Sequence, residues 1–232
     1  MQEEKSLNFY IIAFGTHLKK QNGATINEIK SDGFKVDYQI DNLIQGDEAI
    51  NIVESYANTV RLFGLFWNEN HTKFDLVLSL GDRFEMAAAV NAGIPFNVVF
   101  GHIHAGETSE GAIDNVYRDQ ITSASSYHFI SAPQFKSRVE GIVNKKGTTT
   151  LTGAIGLENI KALPLLNEDE FKAKWNIDLN LPSILITVHP ETVNYKENHQ
   201  YVAELEKVLK ALSSKYQLII TMTNAETLGT LY

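Results

Sequence analysis

Three polar clusters stand immediately after apolar, β-branched runs. Gly81-Asp82-Arg83 follows residues 74–80 (FDLVLSL), and His102-Ile103-His104-Ala105-Gly106-Glu107-Thr108 follows residues 95–100 (PFNVVF). His189-Pro190-Glu191-Thr192 follows residues 183–188 (SILITV). Carboxylates, imidazoles and a guanidinium gathered in one crevice suit proton abstraction together with anion binding. Asp114 and Arg118 are four residues apart and would share a face of a helix. Each residue also has a plain structural reading. Asp82 could cap the next helix, Asp114 and Arg118 could form a surface ion pair, and a histidine at a strand end could serve as hydrogen-bonded structure. The shared position after apolar strands is what favours chemistry, because ligands of open parallel sheets bind outside the carboxyl ends of the strands.

A metal site built on His102, His104 and Glu107 has the right ligand types. It would need a strand continuing through both histidines so that they share a face. The Gly-containing turn after them opposes that geometry, and no further ligand stands at a telling spacing, so no metal is expected. No G-x-G-x-x-G follows any strand, and Gly153-Ala154-Ile155-Gly156 does not meet that spacing. The expectation is therefore chemistry without a cofactor.

The elements that must hold these residues alternate between strand and helix. Strands are expected at residues 7–14, 34–40, 74–80, 95–100, Tyr127–Ile130, 148–152, 183–188 and 216–222. Helices are expected at 22–29, 47–67, 84–92, 112–123, 132–142, Glu168–Trp175 and 199–212. Thr25 and Glu28 have the spacing of a capping box, Gly64 falls near the end of the long helix, and Gly93 is a helix C′ residue. The alternation predicts an α/β protein with parallel sheets. Lys, Glu, Asp and Asn enrich residues 157–180, so we expect a first domain at 1–160, a linker at 161–180 and the start of a second domain at 181–232. Only two strong strands fall in that last segment, too few for an independent sheet domain.

Bulk properties narrow the function classes. The 232 residues carry a formal net charge of −8, with 44% hydrophobic residues and no cysteine. An acidic chain without basic runs is a poor nucleic-acid binder. Disulfides and thiolate metal sites are excluded. No apolar run approaches the ~20 residues that span a bilayer, and the polar start MQEEKSLN is unlike a signal peptide. A soluble cytoplasmic protein with no nucleic-acid or membrane partner is the expectation.

At these motifs the sequence resembles the UDP-N-acetylglucosamine 2-epimerase family, and its UDP-hydrolysing branch above all. The matching residues begin with Gly15-Thr16-His17-Leu18, Glu28-Ile29 and Asp32-Gly33-Phe34, then Gly81-Asp82-Arg83-Phe84-Glu85 and the run from His102 to Thr108. They continue through Glu110-Gly111-Ala112-Ile113-Asp114, Arg118, Ile121-Thr122, His128-Phe129, Arg138-Val139, Gly153-Ala154, Asn159-Ile160 and His189-Pro190. The resemblance implies a glycosyltransferase-B-like pair of Rossmann-like domains across a nucleotide-sugar cleft. It also implies a two-stage reaction. A base removes the C2 proton as UDP leaves C1, and water then adds to the glycal, releasing N-acetylmannosamine and UDP for sialic-acid-like sugar synthesis. A UDP-diacetamido sugar of the legionaminic-acid type is the alternative substrate. An inactive fragment of such an enzyme is the alternative of another class.

By position, the resemblance assigns Asp82, Glu107, Asp114, His189 and His104 to catalysis, with Asp82 and Asp114 in acid–base work at C2 and the glycal. Arg83, His102, Arg118 and Thr108 are assigned to the substrate, Arg118 to its phosphates or sugar, and His189 contacts the leaving UDP. Many relatives carry Glu where this chain has His104, the hydrolysing branch often has Gly at Ala105, and the usual Lys after Ile121-Thr122 is Ser123. The resemblance further implies a strand with a Gly-Thr-Arg loop ahead of this sequence, a Ser/Gly-rich uridine-binding loop beyond it, and a homodimer. On that comparison the chain reads as truncated at both ends, with its second domain incomplete, and exposed sheet edges are expected to favour association.

Overall fold

Apolar β-branched runs become strands here only over the stretch where a neighbour pairs with them. The computed structural model describes residues 6–20, 24–46 and 48–221. Eight short strands are found among them: β1 (Ile12–Phe14), β2 (Tyr38–Ile40), β3 (Val77–Leu80), β4 (Phe100–Ile103), β5 (Tyr127–Ile130), β6 (Thr149–Leu151), β7 (Ser183–Ile186) and β8 (Gln217–Ile220). Every pairing is parallel. A four-stranded sheet runs β3-β4-β5-β6, and β1-β2 and β7-β8 form two further pairs. The helices between them are α1 (Ile26–Ser31), α2 (Ala49–Asn70), α3 (Phe84–Gly93), α4 (Asp114–Ala124), α5 (Lys136–Val143), α6 (Ile155–Ala162), α7 (Glu168–Trp175) and α8 (Asn198–Leu212). Among the described residues no helix is long and apolar enough to cross a membrane.

The helices α2, α3, α4 and α5 lie side by side. The apolar stripes of α2, α3 and α4 meet the four-stranded sheet in one core of Phe63, Trp67, Ala87, Ala89, Val90, Ala92, Phe100 and Ile121. Ile12, Phe14 and Ile40 of the β1-β2 pair pack on the same core, so both sheets rest on one helical layer. Each buried large apolar side chain contributes roughly 1.5–3 kcal/mol. Trp67 also satisfies its indole by donating to the Ala89 carbonyl at 3.0 Å. A smaller cluster of Ala105, Ile130 and Val139, with Phe135 against it, lies beneath the turn that follows β4.

The register sets which face each strand residue uses. Val77 pairs with Phe100, Ser79 with His102, and His102 with His128. These residues therefore share a face, and Phe100 and Val77 on it meet the helix-built core. Leu78, Gly101 and Tyr127 are register partners on the opposite face. There Leu78 and Leu80 are 37% and 55% exposed.

Several local expectations are corrected. Residues 7–10 stay outside β1, with Leu7 and Tyr10 exposed, because the ladder with β2 begins only at Ile12. The run at 95–100 is not a strand. Pro95 sits in a 3-10 turn over Ile94–Phe96, and β4 starts at Phe100 and passes through His102. Gly93 is a helical residue with φ −82°, and Asn97 takes the left-handed conformation instead. Thr25 forms no side-chain cap; its hydroxyl meets His17 Nδ1 at 2.7 Å. Gly64 lies inside α2, which continues to Asn70. The helix expected at Glu168–Trp175 is α7, and α6 (Ile155–Ala162) ahead of it was not expected. Asn22, Gly23, Asp47 and Met222, which belong to expected elements, fall outside the described residues.

Candidate functional site

The chain reverses sharply after β3, and that reversal delivers the first carboxylate. Gly81 takes φ +83°, Arg83 is the N-cap of α3 without a side-chain cap bond, and Asp82 between them is turned to Arg118 of α4. The helix-cap reading of Asp82 is thereby replaced by an ion pair. Arg118 is 5% exposed. Its Nη2 donates to Asp82 Oδ2, and its Nη1 donates to the His104 carbonyl at 2.9 Å and lies 3.6 Å from Glu107 Oε2. Its Nε is buried and finds no acceptor among the described residues. One guanidinium thus ties the loop after β3 to the turn after β4. In this structure the contacts of Arg118 are with Asp82, the His104 carbonyl and Glu107.

The turn after β4 is held in a costly shape. His104 has φ +65°, a region a non-glycine residue adopts only when its surroundings fix it. Three bonds fix it: its N–H and that of Ala105 donate to the Phe129 carbonyl at 3.0 and 3.3 Å, and its own carbonyl accepts from Arg118. Gly106 follows with φ +76°, and a Cβ there would lie 2.6 Å from Val139 Cγ2 and 2.9 Å from the Phe135 carbonyl. The turn brings His104 Nδ1 to 2.7 Å from Glu107 Oε1, which also accepts from the Ser131 hydroxyl. Burial pushes the Glu107 carboxyl up, but the bonds from Ser131 and His104 and the charges of His104 and Arg118 outweigh it and hold it below the usual glutamate range.

His102 is turned into the protein interior. Its ring is fully buried, with Nδ1 2.9 Å from Thr122 Oγ1 and Nε2 2.7 Å from the Gly81 carbonyl. The expected substrate contact is corrected to a brace beneath the Asp82 turn. Burial pushes this imidazole down to about 4, against the opposing bond to Gly81. With His102 in the helix-facing row and His104 turned out of the strand, the two histidines share no face. Among the described residues no three His, Asp or Glu side chains group as a metal would require.

Asp114 opens α4, where the helix dipole favours a carboxylate. It lines the same cleft as His189, which the loop after β7 carries. Asn198, fully buried at the start of α8, grips that loop by accepting from the Glu191 N–H at 3.0 Å and donating to its carbonyl at 2.8 Å. The loop is then clasped to the one ahead of α4. Thr192 and Val193 N–H donate to the Gly111 carbonyl at 3.1 and 3.3 Å, and Ile113 N–H donates to Thr192 Oγ1 at 2.9 Å. Gly111, at φ +70°, has Glu191 Cγ 3.1 Å from where a Cβ would stand.

These contacts enclose a cleft of about 690 Å³ lined by Asp82, Arg83, Asp114 and His189, with residues 109–112 and 190–192. Four of the expected site residues therefore meet. Arg118, His104 and Glu107 form a connected group behind Asp82, and Thr108 is exposed on the loop outside the lining. Arg83 reaches the cleft with its Nε donating to Glu85 Oε1 at 2.6 Å. Sequence reasoning missed Ser131 and Asn198, and it placed Gly111 and Thr192 in motifs without giving either a role at the site. The arrangement offers carboxylates and an imidazole for proton transfer and a guanidinium for an anion.

The family model described as UDP-N-acetylglucosamine 2-epimerase matches residues 1–231. The chain is 30% identical over 231 residues, all of its length, to the GDP/UDP-N,N'-diacetylbacillosamine 2-epimerase (hydrolyzing) of Campylobacter jejuni, covering 59% of that protein. It is 31% identical to the UDP-N,N'-diacetylbacillosamine 2-epimerase (hydrolyzing) of Legionella pneumophila, over 99% of this chain and 59% of that one. It is 28% identical to the polysialic acid biosynthesis protein P7 of Escherichia coli, over 98% of this chain and 57% of that one. The chain thus spans somewhat over half the length of these relatives. Among solved structures, the Neisseria meningitidis UDP-GlcNAc 2-epimerase bound to UDP-GlcNAc matches with a TM-score of 0.70 at 19% identity, over 100% of this chain and 68% of that one. The Methanocaldococcus jannaschii UDP-GlcNAc 2-epimerase in complex with UDP-GlcNAc and UDP matches with a TM-score of 0.75 at 17% identity, over 99% and 62%. At such identity these likenesses show the fold, which is the glycosyltransferase-B-like α/β arrangement with parallel sheets.

Proposed function

Because the chain belongs to the UDP-N-acetylglucosamine 2-epimerase family, we propose that its cleft carries the proton-transfer machinery of a hydrolysing UDP-sugar 2-epimerase. The observation that carries the reading is the convergence of Asp82, Arg83, Asp114 and His189, from two loops and the start of α4, on one cleft. The substrate class is a UDP-linked 2-acetamido sugar. One carboxylate of the Asp82/Asp114 pair takes the C2 proton as the C1–O bond to UDP breaks, leaving a C1=C2 glycal. Water then adds its oxygen to C1 while C2 gains a proton on the opposite face, so the products are UDP and the free 2-epimer.

The C2–H bond is weakly acidic, so stabilisation of the departing diphosphate must carry much of the barrier. Arg83 and His189 at the cleft are the groups we assign to that charge. Arg118 orients the Asp82 carboxylate from behind. Glu107, hydrogen-bonded to His104, is assigned to the hydration stage, where a carboxylate–imidazole pair can activate water.

N-acetylglucosamine is one substrate reading. The names of the Campylobacter and Legionella relatives favour a second, a diacetamido sugar, with the same bond changes. Asp82→Asn tests the assignment. Loss of a general acid–base group is expected to reduce UDP release by about a hundredfold or more. Full turnover in that variant overturns the role of Asp82.

A further inference from the structure

We propose that Ser131 is the positioning residue for Glu107: its hydroxyl fixes the carboxylate so that one oxygen serves His104 and the other faces Arg118. Ser131 follows β5 directly, at the carboxyl end of the strand next to β4. Its Oγ donates to Glu107 Oε1, the oxygen that also meets His104 Nδ1. Oε2 is thereby left toward Arg118 Nη1, 3.6 Å away. Two donors on one oxygen from two elements remove the rotation about the terminal torsion that a glutamate otherwise keeps.

The groups facing Glu107 are His104 from its own turn, Ser131 from the end of β5 and Arg118 from α4, with Asp82 behind Arg118. From α5 and the turn before it, Val139 and Phe135 close on the neighbouring Gly106 with apolar surface and a carbonyl. Ser131 is therefore the uncharged donor in an otherwise ionisable group. A hydroxyl can hold the carboxylate without changing the charge of the site. When the ring is neutral, an Nδ1–H directed at Glu107 leaves Nε2 as the acceptor of His104. The position of Glu107 thus sets the tautomer that His104 offers to a water or sugar hydroxyl.

The catalytic meaning of this role rests on the epimerase reading, but the positioning does not, and two measurements separate them. The first is the side-chain carboxyl ¹³C titration of Glu107, assigned by its disappearance in Glu107→Gln. In Ser131→Ala the midpoint moves up, because a donor to the charged form is lost. In Ser131→Thr, which retains a hydroxyl, it stays with the parent protein. The second is turnover of the UDP-sugar. Ser131→Ala is expected to lower kcat about tenfold with KM little changed, as loss of one hydrogen bond to a charged group implies. An unmoved Glu107 midpoint in Ser131→Ala, or equal shifts in the Ala and Thr variants, overturns the proposal whether or not the protein turns over. A shifted midpoint in a protein that releases no UDP leaves the positioning intact and counts against the epimerase reading. If Ser131→Ala gives no folded spectrum, Ser131→Cys, similar in size but a weaker donor, carries the same comparison.

Discussion

The side chains of the cleft divide into those that reach it and those that hold them there. Asp82 reaches it; Arg118 and His102 hold it, the first by its ion pair and the second by donating its Nε2–H to the Gly81 carbonyl in a buried bond. The sequence made Asp82, Asp114 and His189 legible because each ends an apolar run or opens a helix. It misplaced His102, since a polar residue after an apolar run looks like the mouth of a site. The strand in fact starts at Phe100 and extends through Ile103, so period-two alternation sends His102 inward with Phe100. That burial has a consequence for stability. The folded value of about 4 lies below the 6.5 of a free imidazole, so between those pH values the unfolded chain binds a proton that the folded chain refuses. Stability from this group is complete above pH 6.5 and falls as pH drops toward 4, by about 3 kcal/mol in all. Urea midpoints measured from pH 7 to pH 4.5 should fall less steeply in His102→Gln than in the parent protein. Equal slopes would contradict the account of His102.

At the scale of elements, β-strand positions depend on partners that a linear pattern does not contain. The runs at 7–14, 34–40 and 95–100 are apolar enough to be strands along their length, yet β1, β2 and β4 occupy only the parts where a parallel neighbour is in register. Tyr127–Ile130 and Glu168–Trp175 were readable to the residue because turn residues and a capping box bound them locally. Asn167 and Glu170 form both halves of that box. Gly93 was read as a helix stop, whereas its role is tertiary. A Cβ there would stand 2.6 Å from Phe100 Cζ and 3.3 Å from Trp67 Nε1. Gly93→Ala should therefore destabilise the fold by roughly 1–3 kcal/mol despite the better helix propensity of alanine. Chemical denaturation measures it, and an unchanged or raised midpoint would mean that α3 and β4 are not in close contact at this point.

At the scale of the whole molecule, the cleft exists because two distant stretches are brought together. The turns after β3 and β4 supply Asp82 and, through α4, Asp114; the loop after β7 supplies His189, some 75 residues further along the chain from Asp114. The bonds between Gly111, Ile113 and Thr192 close that distance, and none of them could be foreseen from local pattern. Family resemblance placed the residues in one site, and the clasp explains physically how they meet. The central claim is that this cleft performs elimination at C2 followed by hydration. It is tested most directly by proton NMR in D2O, with UDP-N-acetylglucosamine and UDP-N,N'-diacetylbacillosamine offered separately. The account predicts that one of them gives free UDP together with a 2-epimerised free sugar carrying deuterium at C2. UDP release with the C2 proton retained, or no UDP release from either sugar nucleotide, would contradict it.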